Sequence, residues 1–311
     1  MQDSTQTVWE REVLEKALLA SVTEQRRARR WGIFFKLVFL TIILLGFFAA
    51  CSDKIAHKPL AAHTAVINVE GIINSEFNSA KLVNEGLRAA FEEKQAHGVI
   101  LKLNSPGGSP VQSNEVFDEI NRLRAKYPDK KVYAVIDDVC ASGCYYMAVA
   151  ANEIYANPAS LVGSIGVLFD GFGFVDTLNK LGVQRRLLTA GENKAFMDPF
   201  SPTTPQMEGY VQDMLNDIHQ QFITAVEQGR GDRLKQNDLT FSGLAWTGHQ
   251  AKDLGLVDNF GSADYVAREV IGAETLIDYT TQANWLDRLS QHMGASFAHA
   301  FRSEVYSQQM M

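Results

Sequence analysis

Ser142 stands in Asp137-Asp138-Val139-Cys140-Ala141-Ser142-Gly143-Cys144-Tyr145-Tyr146, where an apolar strand pattern, Val132 to Ile136, gives way to a helical one. Small residues on either side allow a sharp strand-to-helix turn that lifts the serine hydroxyl above the sheet edge, over a helix N-terminus. A hydroxyl so placed can attack a carbonyl if a base removes its proton. It can equally cap the helix that it precedes. Asn104-Ser105-Pro106-Gly107-Gly108 follows another strand pattern, Val99 to Leu103, and also opens a helix. Paired glycines lack Cβ atoms, so their backbone N–H groups can come close to a carbonyl oxygen that is becoming an oxyanion. Taken by itself, Pro-Gly-Gly is a turn.

The base is harder to find. The histidines are scattered singly at 57, 63, 97, 219, 249, 292 and 299; His219 lies mid-helix and His249 beside a helix start, with no distinctive surroundings. The lysines that follow Ser142 are Lys180, Lys194, Lys235 and Lys252. Lys180 and Lys252 fall at solvent-facing helix ends, and Lys235 in a polar loop. Lys194, in Thr189-Ala190-Gly191-Glu192-Asn193-Lys194-Ala195-Phe196-Met197, follows a strand pattern and adjoins apolar side chains. Desolvation in such a setting makes an amine a better base; an ordinary surface lysine is the plain alternative. Of Cys51, Cys140 and Cys144, the last two could supply a thiol, though no histidine lies near them in sequence, and buried structural cysteine is commoner. Being four apart, they could also form a disulfide in an oxidising compartment. No Cys/His cluster has zinc spacing, so no metal is expected.

The elements that must position these residues alternate. Strand patterns at Ala65–Val69, Val99–Leu103, Val132–Ile136 and Glu153–Ala156 are separated by helical patterns ending near Phe91, over Gln112–Lys126 and after Ser142. Such alternation predicts an α/β fold with a parallel sheet, and continuous apolar strands suit burial on both faces. Further strands are predicted at Val162–Leu168 and Val183–Leu188, a helix at Val175–Leu181, and a long helix from Pro205 to about Gln228 closed by Gly229 and Gly231.

With 311 residues and 46% hydrophobic side chains, the chain is long enough for a large packed core and unlike a disordered one. Residues beyond 36 carry 22 basic against 31 acidic side chains, a poor surface for nucleic acid. From Trp31 to Cys51 a run of 21 residues holds one charge, Lys36, close to the roughly 20 residues that span a bilayer as a helix. Arg26, Arg27, Arg29 and Arg30 precede it and only Lys54 and Lys58 soon follow, which favours a cytoplasmic N-terminus with the large domain on the far side. Phe48 three residues before Cys51 fits a lipoprotein leader badly, so an uncleaved anchor is expected. Residues 9–25 read as a short amphipathic helix on the cytoplasmic side. The predicted organisation is a cytoplasmic segment 1–30, a transmembrane helix 31–51, a linker 52–63, a large domain 64–271 and a C-terminal extension 272–311.

Taken together and in order, Asn104 to Gly108, the Ala141-Ser142-Gly143 turn with its two tyrosines, Val162-Gly163-Ser164-Ile165-Gly166-Val167, Gly191-x-x-Lys194, and Gly255-Leu256-Val257-Asp258 with Gly261 resemble the signal peptide peptidase A family. These are bacterial membrane-anchored Ser-Lys proteases, related to the Clp protease subunits and the crotonases. The resemblance runs over about residues 64–270. It implies a Clp/crotonase-type fold, Ser142 as nucleophile, Lys194 as general base, Ser164 as the serine that hydrogen-bonds the lysine, and the amides of Gly108 and Gly143 as oxyanion donors. It also implies no cofactor, remnant signal peptides and other apolar peptides as substrates, the bacterial inner membrane as location with the catalytic domain periplasmic or extracellular, and no nucleic-acid partner. Cys144 departs from the pattern, since glycine or alanine often follows Ser-Gly. The short chain resembles the half-size members, in which serine and lysine come from neighbouring subunits of a homo-oligomeric ring. A crotonase-like acyl-thioester enzyme would share the sheet but needs coenzyme A, a cytoplasmic ligand; a catalytically inactive membrane scaffold would not need the Ser-Lys pair retained.

Overall fold

A computed structural model describes residues 24–27, 29–46, 61–76, 78–235 and 237–281. The chain divides into two units, 1–58 and 59–311. In the first, residues 29–46 form helix α1, with Phe35, Phe39 and Leu45 exposed. Among the described residues no helix is long and apolar enough to cross a membrane. The end of the expected span, 47–51, lies outside the described residues, as do most of the 9–25 segment, the linker up to residue 60 and the tail beyond 281.

In the second unit, strands and helices alternate as the hydrophobic patterns require: β1 (His63–Glu70), α2 (Ser79–Glu92), β2 (Ala96–Ser105), α3 (Pro110–Lys126), β3 (Val132–Ala141), α4 (Gly143–Ala148), β4 (Glu153–Ala156) and β5 (Leu161–Gly163). Helix α5 (Val175–Lys180) and the long α6 (Pro205–Arg230) follow, then β6 (Ala245–Thr247), α7 (Gly248–Asp253), β7 (Asn259–Phe260), α8 (Ala263–Tyr265) and β8 (Leu276–Asp278). Among the described residues, eight strands form one sheet in the order β6-β5-β3-β2-β1-β8, with β4 and β7 branching from β3. Every pairing is parallel except β5 with β6. This mixed α/β architecture, a mainly parallel sheet with flanking helices, fits the expected Clp/crotonase type.

Both faces of the sheet are covered, which is why its strands read as unbroken apolar runs. Ile67, Leu101 and Ala134 pack with Leu87, Phe91, Ile120 and Phe222 of the helices on one face. Val66, Ile100, Tyr133 and Tyr155 meet Ala263, Val266 and Ala267 on the other. Strand β8 pairs with β1 and draws residues of the expected C-terminal extension into the sheet.

Two strand predictions fail. Val183–Leu188 forms no strand: it has no neighbouring strand to pair with, and Leu188 is 97% exposed. Val162–Leu168 stops at Gly163, because Ser164 adopts the left-handed region at φ 49° and turns the chain away.

Candidate active site

The sheet forks at β3, and the fork builds the site. The first half of β3 pairs with β4, from Tyr133 opposite Glu153 to Ile136 opposite Ala156. Its second half pairs with β5, placing Ala141 opposite Gly163. The next residues, Ser142 and Ser164, therefore leave two paired strand ends side by side. The Ser142 N–H donates to the Gly163 carbonyl at 2.8 Å. On the other side β2 ends with Ser105 opposite Cys140, which delivers Pro106-Gly107-Gly108 to the same turn.

Only glycine fits at that meeting point. Gly107 takes φ +98°, and a Cβ there would lie 2.6 Å from the Ala141 carbonyl oxygen and 2.7 Å from Ser142 Cβ. A Cβ on Gly143 would lie 2.4 Å from Ser113 Oγ and 3.3 Å from the Gly108 nitrogen, so the backbones of the two glycine turns approach closely. Gly108 bridges to Ile73 as an isolated parallel pair, fixing the loop from outside.

Ser142 holds φ 53° and ψ −126°, a conformation that costs a non-glycine residue on the order of 1–3 kcal/mol and persists only where the surroundings enforce it. Its side chain makes no capping hydrogen bond to α4, which removes the plain helix-cap reading. The helix is instead fixed by its tyrosines. Tyr145, fully buried, donates to the Leu256 carbonyl at 2.7 Å, and burial pushes its phenol well up. Tyr146 donates to Asn114 Oδ1 at 2.8 Å. Cys140 and Cys144, both without exposure, are joined in a disulfide across the turn.

The half-buried Ser142 opens onto a cavity of about 660 Å³ lined also by Gly108, Gly143 and Ser164, with Tyr146, Val167, Phe222 and Phe241 as apolar walls. Four of the five expected site residues thus meet. Lys194 does not join them: it is exposed, in the turn after Gly191, and is not among the cavity-lining residues. The burial expected for it is absent within a single chain, where residues 181–194 are all exposed and aromatic packing against the rest of the chain starts only beyond Lys194, at Phe196 on Tyr210 and Phe200 on Phe174.

His219, passed over in the sequence, lines the cavity, and its Nε2 lies 3.0 Å from the Ile165 carbonyl, so that nitrogen donates. The signal that could have found it is its spacing from Phe222, one turn on along α6 and buried. Phe241, Ser242 and Gly243 of the cavity rim were also not singled out. Ser242 donates to the Leu239 carbonyl at 2.7 Å and stands in a turn rather than in a recognisable motif.

Residues 124–275 match Peptidase family S49. A Na(+)/H(+) antiporter NhaA of Brucella melitensis is 44% identical over 186 residues, 60% of this chain; the chain spans 25% of the length of that relative, so the likeness concerns that quarter alone. A protease-named protein of Synechocystis sp. is 32% identical over 200 residues, 64% of this chain and 70% of the relative. A protein of Enterococcus faecium named for signal peptide peptidase SppA is 29% identical over 194 residues, 62% of this chain and 56% of the relative. Sharing its matched segment with most of a protease-named chain and carrying the peptidase domain over the strands that build the Ser142 turn, this chain belongs to Peptidase family S49.

Proposed function

We propose that the protein is a membrane-anchored serine endopeptidase working through a Ser142–Lys194 dyad. The observation that carries the reading is Ser142 itself: a strained serine without a capping role, facing a cavity with Gly108, Gly143 and Ser164 on its wall. The neutral amine of Lys194 takes the proton of Ser142 Oγ as the oxygen attacks the scissile carbonyl. The amides of Gly108 and Gly143 receive the oxyanion, each such donor being worth about a hundredfold or more in rate. The ammonium then protonates the leaving amine, and water attacks the acyl-serine by the reverse exchange of protons. Ser164 orients the lysine by a hydrogen bond.

Lys194 reaches this cavity from a neighbouring subunit of a ring. Its exposure supports that arrangement, and so do the exposed Leu168, Phe172, Leu181 and Leu188 of the same region. The apolar cavity walls suit an apolar peptide in extended form, such as a remnant signal peptide. The apolar run at 31–51 behind its arginines serves as the anchor, with the catalytic domain outside the cytoplasm. A buried disulfide, of the kind that persists in oxidising compartments, supports that side of the membrane.

A second reading takes His219 as the base, favoured by its place on the cavity wall. The deciding assay is hydrolysis of an apolar peptide series by the full chain in detergent, beside Ser142→Ala and Lys194→Ala. Both variants are expected to be inactive; full activity in Ser142→Ala would overturn the serine mechanism, and activity in Lys194→Ala would hand the base to His219. A cytoplasm-dependent reporter fused after residue 60 should be silent, and strong signal would reverse the topology.

A further inference from the structure

The disulfide between Cys140 and Cys144 has Ser142 at its centre, two residues from each sulfur-bearing position. Cys140 is locked into the middle of the sheet, opposite Ser105 on β2 and Val162 on β5. Cys144 sits in the first turn of α4, whose six residues are all buried. The bond therefore ties the sheet to the helix across the one residue that must hold an unfavourable backbone conformation, φ 53° and ψ −126°. Apart from it, the backbone of Ser142 itself is held by two hydrogen bonds, Ser142 N–H to Gly163 and Tyr146 N–H to the Ser142 carbonyl at 3.0 Å, while the tyrosines anchor α4 beyond the turn.

Global stability is not what such a bond contributes most. Closing so short a loop restricts the unfolded chain least among disulfides. Its leverage is local, because Gly107 sits against Ala141 and Ser142 with no room for a methyl group, and the Gly108 and Gly143 amides flank the same turn. A turn that relaxes toward an ordinary helix N-cap moves the hydroxyl and opens the pair of amides together.

We propose that the Cys140–Cys144 disulfide is a positioning clamp for the Ser142 nucleophile, so that reducing it lowers turnover without unfolding the domain. The inference rests on Ser142 being the nucleophile. The cysteines act through Ser142 and touch no substrate. Reduction by a dithiol proceeds by two thiol–disulfide exchanges: the dithiol gives up two electrons and two protons and closes to its own disulfide, while Cys140 and Cys144 become free thiols.

The test compares the full chain in detergent as isolated, after dithiothreitol, and after reoxidation, with thiols counted by mass after alkylation. A Cys140→Ala/Cys144→Ala variant is measured beside it. With two more thiols counted than in the chain as isolated, Cys51 lying outside the bond, kcat should fall about tenfold or more while KM and the far-ultraviolet circular dichroism stay close to the starting values, and reoxidation should restore kcat. The double variant should show the same low kcat and no response to dithiothreitol. Unchanged kcat in the reduced chain, or loss of activity together with the circular dichroism signal, overturns the clamp. Should the buried bond resist the reagent, the double variant decides: wild-type kcat overturns the clamp, low kcat with retained fold supports it. Ser142→Ala separates the two ideas, since activity in that variant sinks the nucleophile assignment whatever reduction does.

Discussion

Arg230, the last residue of α6, grips Asp258 in a bidentate ion pair, Nη1 to Oδ2 and Nη2 to Oδ1 at 2.8 Å each. Arg230 is 2% exposed, and its Nε donates to the Gly255 carbonyl at 2.7 Å. Asp258 Oδ2 also accepts from the Ile154 N–H at 2.7 Å. One carboxylate thus binds β4, the approach to β7, and the end of the helix that carries His219 and Phe222 to the cavity.

The pair makes a prediction about acid. Burial alone would raise the Asp258 pKa, but the Arg230 hydrogen bond and charge, the Ile154 N–H and Arg233 outweigh it and hold the carboxyl below the usual carboxylate range. The folded value being the lower, the stabilisation is present above the unfolded pKa of about 3.9 and is lost as pH falls through the folded value. Asp258→Asn leaves a buried guanidinium without its counter-charge and should cost about 3–5 kcal/mol in chemical denaturation. Its stability should also fall less steeply below pH 4 than that of the wild type; parallel acid curves would refute the assignment.

Gly107→Ala should abolish most activity. The added methyl meets the Ala141 carbonyl oxygen and Ser142 Cβ inside 3 Å, so the nucleophile turn must move, and displacement of about 1 Å is worth roughly a hundredfold in rate. Gly272→Ala is the control, because Gly272 shares the positive φ, +77°, with nothing within 4 Å of the added carbon. The control should lose about 1 kcal/mol of stability and retain its kcat. Equal activity losses in both would show that backbone strain alone, and not the contact with Ser142, is responsible.

Shared sites predict complementation. Ser142→Ala and Lys194→Ala chains, each inactive, should regain activity when mixed, dissociated and reassembled in equal amounts. If each site takes its serine from one chain and its lysine from the next around a closed ring, about one quarter of random interfaces hold both wild-type residues. Recovery should approach that fraction, and none at all would put serine and lysine in one chain or remove Lys194 from the chemistry.

The sequence exposed most of the frame because buried parallel strands leave continuous apolar runs, and β1 to β4 were legible on that ground. Strands β6, β7 and β8 have two or three residues each, too few for any period to register. The apolar cluster of Val183, Leu187 and Leu188 mimicked a strand because its side chains are apolar for another reason than sheet burial; all three are exposed in the single chain. Ser142 and the glycine turns stood out because small residues at a strand end allow a sharp turn, but a helix cap or an ordinary turn leaves the same local pattern, and only the family resemblance joined them into a site. Ser164 was named only through the family resemblance, and the reason it belongs, the pairing of Ala141 with Gly163, is a long-range register that no local pattern carries. His219 was missed for the same cause: a mid-helix histidine gains its meaning from Ile165, 54 residues away.

The identity of the base should show in the pH dependence of kcat. A lysine must lose its proton before it can take one from Ser142, so activity should rise with pH along one ionisation and show no step near 6.5, where an unperturbed histidine titrates. Lys194→Arg should be as inactive as Lys194→Ala, since a guanidinium keeps its proton at any usable pH. His219→Gln, which can still donate a hydrogen bond to the Ile165 carbonyl, should retain most of the activity, because on this reading the imidazole only holds the loop after Ser164. The opposite pattern has a definite meaning. Loss of about a hundredfold or more in His219→Gln, with activity retained in Lys194→Ala, would make His219 the base and leave Lys194 outside the reaction.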